Sequence, residues 1–242
     1  MLTNLKDFYG TKLAAADGDI GKVKDFYFDD KTWMVRYLVV DTGTWLSERQ
    51  VLLSPHAFGK FDHYEKTLHV KPHKKQIENS PSIESHKPVS RQFEIDYYRY
   101  YSWPAYWNGS VKWGSGSYPL VVPPSSGEAT ARFHARHRDD RQLQSTQAIV
   151  GYPIEATDGT IGHVSGFMMD DRSWAIREMV VETGHWYSGR EILISPVKID
   201  LISHTEAKVF VNLTKTDIQR TTENHLVHAG AENPGAETYP TE

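Results

Sequence analysis

Residues Gly10 to about Ser80 recur from Gly151 to about Thr221 at a constant offset of 141 residues. GTKLAAADGDIGKVKDFYFDDKTWMVRYLVVDTGTWLSERQVLLSP (Gly10–Pro55) aligns without a gap on GYPIEATDGTIGHVSGFMMDDRSWAIREMVVETGHWYSGREILISP (Gly151–Pro196), and about 22 of the 46 positions are identical. The register survives behind it, in Glu65/Glu206, Val70/Val211, Lys74/Lys215 and Ile77/Ile218. A repeat of this length is a whole small domain used twice, not one unit of a solenoid. Each copy has roughly 70–80 residues, a size at which stability is modest and docking on a neighbour helps.

Each copy reads as β structure. Asp17-Gly18 and Asp158-Gly159 separate a short strand (Lys12–Ala15; Pro153–Ala156) from a longer one ending at Phe26–Phe28 or Phe167–Met169. Asp-Gly between such runs is a tight-turn signal. The next glycine, Gly21 or Gly162, predicts a bulge or a close backbone approach. After the polar turns Asp29-Asp30-Lys31 and Asp170-Asp171-Arg172 come the clearest strands, starting at Trp33 and Trp174. They are apolar on both faces near their C-terminal ends, which predicts a central strand of a closed barrel. Strands Gln50–Leu53 and Glu191–Ile194 stop at Ser-Pro, and strands Thr67–Val70 and Lys208–Val211 lead into short helices around Lys74–Glu78 and Thr216–Arg220. Five or six short strands with glycine turns point to small all-β barrels. The expected division is 1–80 barrel 1, 81–143 connector, 144–221 barrel 2 and 222–242 a disordered acidic tail.

The connector differs in character. Its prolines break regular structure, yet Tyr97, Tyr98, Tyr100, Tyr101, Trp103, Tyr106, Trp107, Trp113 and Tyr118 crowd one stretch. Disordered linkers are poor in aromatics. At roughly 150–250 Å² per ring these side chains could bury well over ~1,000 Å². Two readings stand: the aromatics fold back over the barrels, or they dock a second copy or another protein.

DGDIGKVKDFYFDDKTWMVRYLVVDTGTW followed by the VLLSP strand resembles the PRC-barrel domain, and so does DGTIGHVSGFMMDDRSWAIREMVVETGHW with ILISP. The glycine turn, Asp-Asp turn, Trp, Arg and Val-Val-Asp/Glu-Thr run occur in order, twice. The resemblance covers roughly 140 of the 242 residues and implies two tandem PRC-type β-barrels with short C-terminal helices, in the manner of soluble two-barrel bacterial proteins. The family is named for the cytoplasmic barrel of the photosynthetic reaction-centre H subunit and includes the C-terminal domain of a ribosome-maturation factor. Here no transmembrane helix precedes the barrel, and no partner domain resembling the N-terminal half of that factor is present. The resemblance therefore implies a fold and a habit of protein–protein contact.

Little in the sequence points to chemistry. There is no cysteine, so disulfides, thiolate metal sites and a cysteine nucleophile are excluded. No GxSxG, HExxH, P-loop or GxGxxG pattern is present. The acidic turns at Asp29-Asp30 and Asp170-Asp171 lack the alternate oxygen ligands of a calcium loop and read as solvated turns. His134 and His137 could share a helix face, but no third ligand is placed by spacing. Arg36 and Arg177 lie five residues from Asp41 and Glu182. That is about 17 Å along a strand, too far for a direct pair. These arginines read as structural or interface residues, and Arg49 and Arg190 as more exposed partner contacts.

Net charge runs from +1 over residues 1–80 and +2 over 81–150 to −3 over 151–221 and −4 over 222–242. Neither repeat is basic as a whole, so nucleic acid is an unfavoured partner. The start, MLTNLKDFYG, has no basic segment followed by an apolar run, and no apolar stretch approaches 18 residues, so a cytoplasmic location is expected. The expectation is a non-enzymatic, homodimeric interaction or assembly module without cofactor, metal or membrane span. Its candidate interface residues are Arg36, Arg49, Arg177, Arg190, Tyr98, Tyr101, Trp103, Tyr106 and Trp107. The alternative is a ribosome- or RNA-processing-associated factor or a small-ligand-binding protein.

Overall fold

The computed structural model describes residues 1–46, 50–62, 64–81, 91–103, 143–187 and 189–220. The first repeat supplies β2 (Lys12–Ala15), β3 (Gly18–Asp29), β4 (Met34–Asp41), β5 (Gln50–Leu53), β6 (Phe58–Asp62), β7 (Thr67–Val70) and helix α1 (Lys74–Glu78), preceded by β1 (Leu2–Asn4). Helix α2 (Arg91–Tyr101), strand β8 (Gln144–Ser145) and helical turn α3 (Thr146–Ile149) lie between the repeats. The second repeat supplies β9 (Pro153–Ala156), β10 (Gly159–Asp170), β11 (Ala175–Thr183), β12 (Glu191–Ile194), β13 (Ile199–Ser203), β14 (Lys208–Val211) and a helix over 215–220.

The fold is mostly β, as the turn and strand signals predict. Strand pairing repeats as the residues do. In the first repeat β5-β4-β3-β2-β7-β6 are neighbours, with β2 and β7 parallel; in the second, β12-β11-β10-β9-β14-β13 follow the same order, with β9 and β14 parallel. The glycine after each Ile sits beside a one-residue bulge: Leu13 pairs with Gly21 while Ala14 pairs with Asp19, and Ile154 pairs with Gly162 while Glu155 pairs with Thr160.

The expected closed barrels are not formed by hydrogen bonding. β5 and β6 end the first six-stranded run without pairing to each other, and all described strands belong to one sheet. Between β5 and β6 the chain makes a 3-10 turn at Pro55–Ala57, where Ala57 N–H bonds to Ser54 C=O at 2.8 Å. Proline has no N–H to donate, and the turn redirects the strand before it can pair.

The repeats meet through reciprocal contacts. β1, ahead of the first repeat, pairs with β10 of the second, Thr3 facing Met169; β8, ahead of the second, pairs with β3 of the first, Gln144 facing Phe28. These pairs map onto each other at the 141-residue offset, so each repeat lends its leading arm to the other. β4 and β11 touch at Met34 and Ala175. Beside them Trp174 C=O accepts from Val35 N–H and Trp33 C=O from Ile176 N–H, both at 2.8 Å. The expected strand start at the tryptophans shifts by one residue. Trp33 and Trp174 end the turns with φ of 56° and 58°, a left-handed backbone that turns their carbonyls toward the other repeat. One apolar core runs through both halves, with Phe28 and Phe167 rings 5.6 Å apart and Trp174 4.7 Å from Phe58.

Candidate interaction surface

Helix α2 forms because Glu94, Tyr97, Tyr98 and Tyr101 fall at i, i+3, i+4 and i+7, which puts them on one face. All four are buried. The helix stops at Ser102, whose φ of 56° is left-handed. Trp103 N–H reaches Tyr98 C=O and Ser102 N–H reaches Arg99 C=O, the two bonds of a Schellman cap.

The buried stripe lies on the outer side of β4 and β5, against Tyr37, Val39 and Leu52. The Tyr97 ring meets Tyr37 edge-on at 5.2 Å, and Trp103 stacks on Tyr101 at 4.4 Å. Tyr37 O–H donates to Glu94 Oε1 at 3.2 Å. Tyr97 O–H donates to Leu52 C=O at 2.8 Å and accepts from Ser54 N–H at 3.2 Å, so one hydroxyl satisfies two backbone groups on the free edge of β5. Burial pushes the Tyr97 and Tyr98 hydroxyl pKa values up, and it brings that of His56, which faces Tyr98 and Trp103, down to about 4. These groups are neutral at pH 7 and serve packing.

At the 141-residue offset, Tyr37, Val39, Leu52 and His56 become Glu178, Val180, Leu193 and Val197. Val180 pairs with Leu193 as Val39 pairs with Leu52. Among the described residues no helix covers this second face: Leu193 is 53% and Val197 49% exposed, where Leu52 is 0%.

The predicted interface residues divide accordingly. Tyr98 and Tyr101 are buried and Trp103 is half-buried, packed with Tyr37, Val39 and Leu52 of the first repeat. Arg36 is also buried; it donates to Thr32 Oγ1 at 3.0 Å and pairs with Asp29 at 3.5 Å. Arg177 pairs with Asp170 at 3.6 Å but keeps 39% of its side chain exposed. Arg190 is exposed over the Tyr187 ring at 5.3 Å. Arg49, Tyr106, Trp107, Trp113, Tyr118, His134, His137 and the 222–242 tail lie outside the described residues.

The acidic turns are occupied by their own backbone. Asp29 accepts from Lys31 and Thr32 N–H, and Asp170 from Arg172 N–H and Ser173 O–H. Sequence spacing missed the Asp29–Arg36 pair because hairpin pairing, not distance along one strand, brings the two together. Asp30 accepts from the Gln144 amide at 2.9 Å, and that amide also bonds His204 of the second repeat. Burial raises the Asp30 pKa and lowers that of His204.

Asp25 carries the densest polar network. It accepts from Ser145 and Thr146 O–H and from Phe26 and Gln147 N–H, capping the arm lent by the second repeat. Its counterpart Gly166 leaves room for Asn4, which bonds its own arm at Lys6 N–H. A cleft of about 260 Å³ near Tyr9 is lined by Asp7, Lys12, Glu65 and Lys66. It is smaller than usual ligand sites and mixed in charge. Among the described residues no helix is long and apolar enough to cross a membrane. Compared with known families, residues 4–77 match the PRC-barrel domain. No curated protein matches the chain.

Proposed function

The chain carries a PRC-barrel domain over residues 4–77, and from that premise we propose that it is a non-catalytic protein–protein docking and assembly module, self-associating through the outer face of its second repeat. The observation that carries this reading is the contrast between equivalent faces. On the first repeat Tyr37, Val39 and Leu52 are sealed by α2, while on the second Leu193 and Val197 remain exposed. Large apolar side chains left open where their counterparts are sealed mark an interaction surface. The uptake of the acidic turns by backbone N–H groups and arginines supports the non-catalytic part of the reading.

Sedimentation velocity over a concentration series tests it. The native chain is expected to associate with rising concentration, and Leu193→Glu to weaken that association without lowering the unfolding midpoint. A strict monomer at high micromolar concentration, unchanged by Leu193→Glu, would sink the proposal.

A further inference from the structure

Residues 104–142 leave the described structure and return to it at one place. Trp103, just before them, packs on the aromatic cluster of the first repeat, and Leu143, just after them, is buried in that same cluster. The outer faces of the two repeats lie on one side of the shared sheet. Met34 packs against the aromatic cluster and directly opposes Ala175 in the β4–β11 pair, and opposed residues of an antiparallel pair point the same way. From Val39 along β4 to Met34, then from Ala175 along β11 to Val180, is ten residue steps, or roughly 33 Å at ~3.3 Å per residue. The far half of residues 106–118, with Trp113 ten and Tyr118 fifteen residues beyond Trp103, reaches roughly 33–50 Å when extended, enough to span that distance.

The chemistry also fits. Residues 104–142 include Tyr106, Trp107, Trp113 and Tyr118, the side-chain types that seal the first face. Residues 106–118 carry Lys112 and no acidic residue, while residues 151–221 carry net −3 and place Glu178 on the open face. Tethering places such a segment at an effective concentration of order millimolar beside the face.

We propose that the exposed face of Leu193 and Val197 is the docking site of the chain's own residues 106–118, with Trp113 and Tyr118 seated on it as α2 is seated on the matching face of the first repeat. This rests on the docking role proposed above and adds to it: a partner, or a second copy, gains the face by displacing the internal segment.

The test places the photo-crosslinking residue p-benzoylphenylalanine at Leu193 in the full chain, at low micromolar concentration, with crosslinked peptides mapped by mass spectrometry. Crosslinks within one chain to residues 106–118 are expected. The same probe at Tyr64, 90% exposed on the first repeat, is expected to give none. Crosslinks from position 193 to residues 221–242 or to a second copy would overturn the inference and leave the docking role standing. No crosslink at all would overturn the inference, and none at high micromolar concentration either would overturn the docking role with it. Equal capture of residues 106–118 from Tyr64 would overturn the inference as non-specific. As a second readout, Leu193→Glu is expected to speed proteolytic cleavage within residues 106–118 several-fold at an unchanged unfolding midpoint. An unchanged cleavage rate would also overturn the inference.

Discussion

Gly21 and Gly162 show why some shared residues of the repeat tolerate no change. A Cβ on Gly21 would lie 2.0 Å from Asp41 C=O, and one on Gly162 2.1 Å from Glu182 C=O, with φ at 137° and 152°. Relief would require moving the long strand off its neighbour. Gly21→Ala and Gly162→Ala are each expected to cost at least about 1–3 kcal/mol, the range for one residue held in a disfavoured backbone region. Urea unfolding checks this against Gly10→Ala: Gly10 also has a positive φ, at 78°, but its Cβ would meet nothing within 4 Å, so any extra loss at Gly21 or Gly162 reads the close approach. Equal midpoints for the three variants would remove the close-approach argument. Asp25 acts where the repeats differ. Burial holds its carboxyl above the ordinary value of 3.8, against the downward pull of four hydrogen bonds. The folded chain therefore keeps this proton to a higher pH than the unfolded chain does. The stabilisation is complete below the unfolded pKa and is lost as pH rises through the raised folded value. Asp25→Asn has no such titration. The stability of the native chain relative to that variant is expected to fall as pH rises above about 4, and parallel urea-unfolding series at increasing pH read it directly. A difference constant with pH would show that Asp25 does not titrate in this way.

At the scale of the element, the buried Tyr97 hydroxyl ties α2 to the edge of β5. Tyr97→Phe keeps the ring and removes the hydroxyl, leaving Leu52 C=O and Ser54 N–H buried without it. A loss of about 1–3 kcal/mol is expected. Tyr100→Phe removes a surface bond to Gln76 C=O and should cost under about 0.5 kcal/mol. Denaturant midpoints of the two variants decide it, and equal losses would mean that the edge of β5 does not depend on Tyr97. The hairpins were readable from sequence because their signals are local: Asp-Gly turns, alternation and Ser-Pro stops sit inside the elements they define. The helix was harder to read. Its i, i+3, i+4, i+7 stripe is present, but it includes Glu94 and consists otherwise of tyrosines, between prolines that break regular structure. Glu94 makes sense only once Tyr37 is known to face it. The arms β1 and β8 left no local trace at all. Strands of three and two residues are chosen by the partner they meet, and that partner lies in the other repeat.

For the molecule as a whole, duplication produced two halves that complete each other rather than two beads on a linker. Each lends an arm to the other, each Trp carbonyl bonds the other's strand, and the Gln144 amide links Asp30 of one half to His204 of the other. The offset of 141 residues was visible in the sequence, and so was the opposite charge of the copies. The shared core was not, because a residue buried against its own repeat and one buried against the other look alike in a single chain. Cohesion of this kind has a direct consequence. A protease site placed within residues 119–142 separates the covalent halves while sparing the reciprocal contacts between them. After cleavage, β8 remains on the C-terminal piece yet belongs beside β3, and β1 remains on the N-terminal piece yet belongs beside β10. The two pieces are expected to co-migrate in size-exclusion chromatography and to unfold together in one transition. That transition should shift to lower denaturant as the cut complex is diluted, because association has become bimolecular. Pieces that separate under native conditions, each keeping its strand signal and its own transition, would show that the halves are independent domains. The reciprocal arms would then be contacts of convenience, and the repeat would be a tandem array after all.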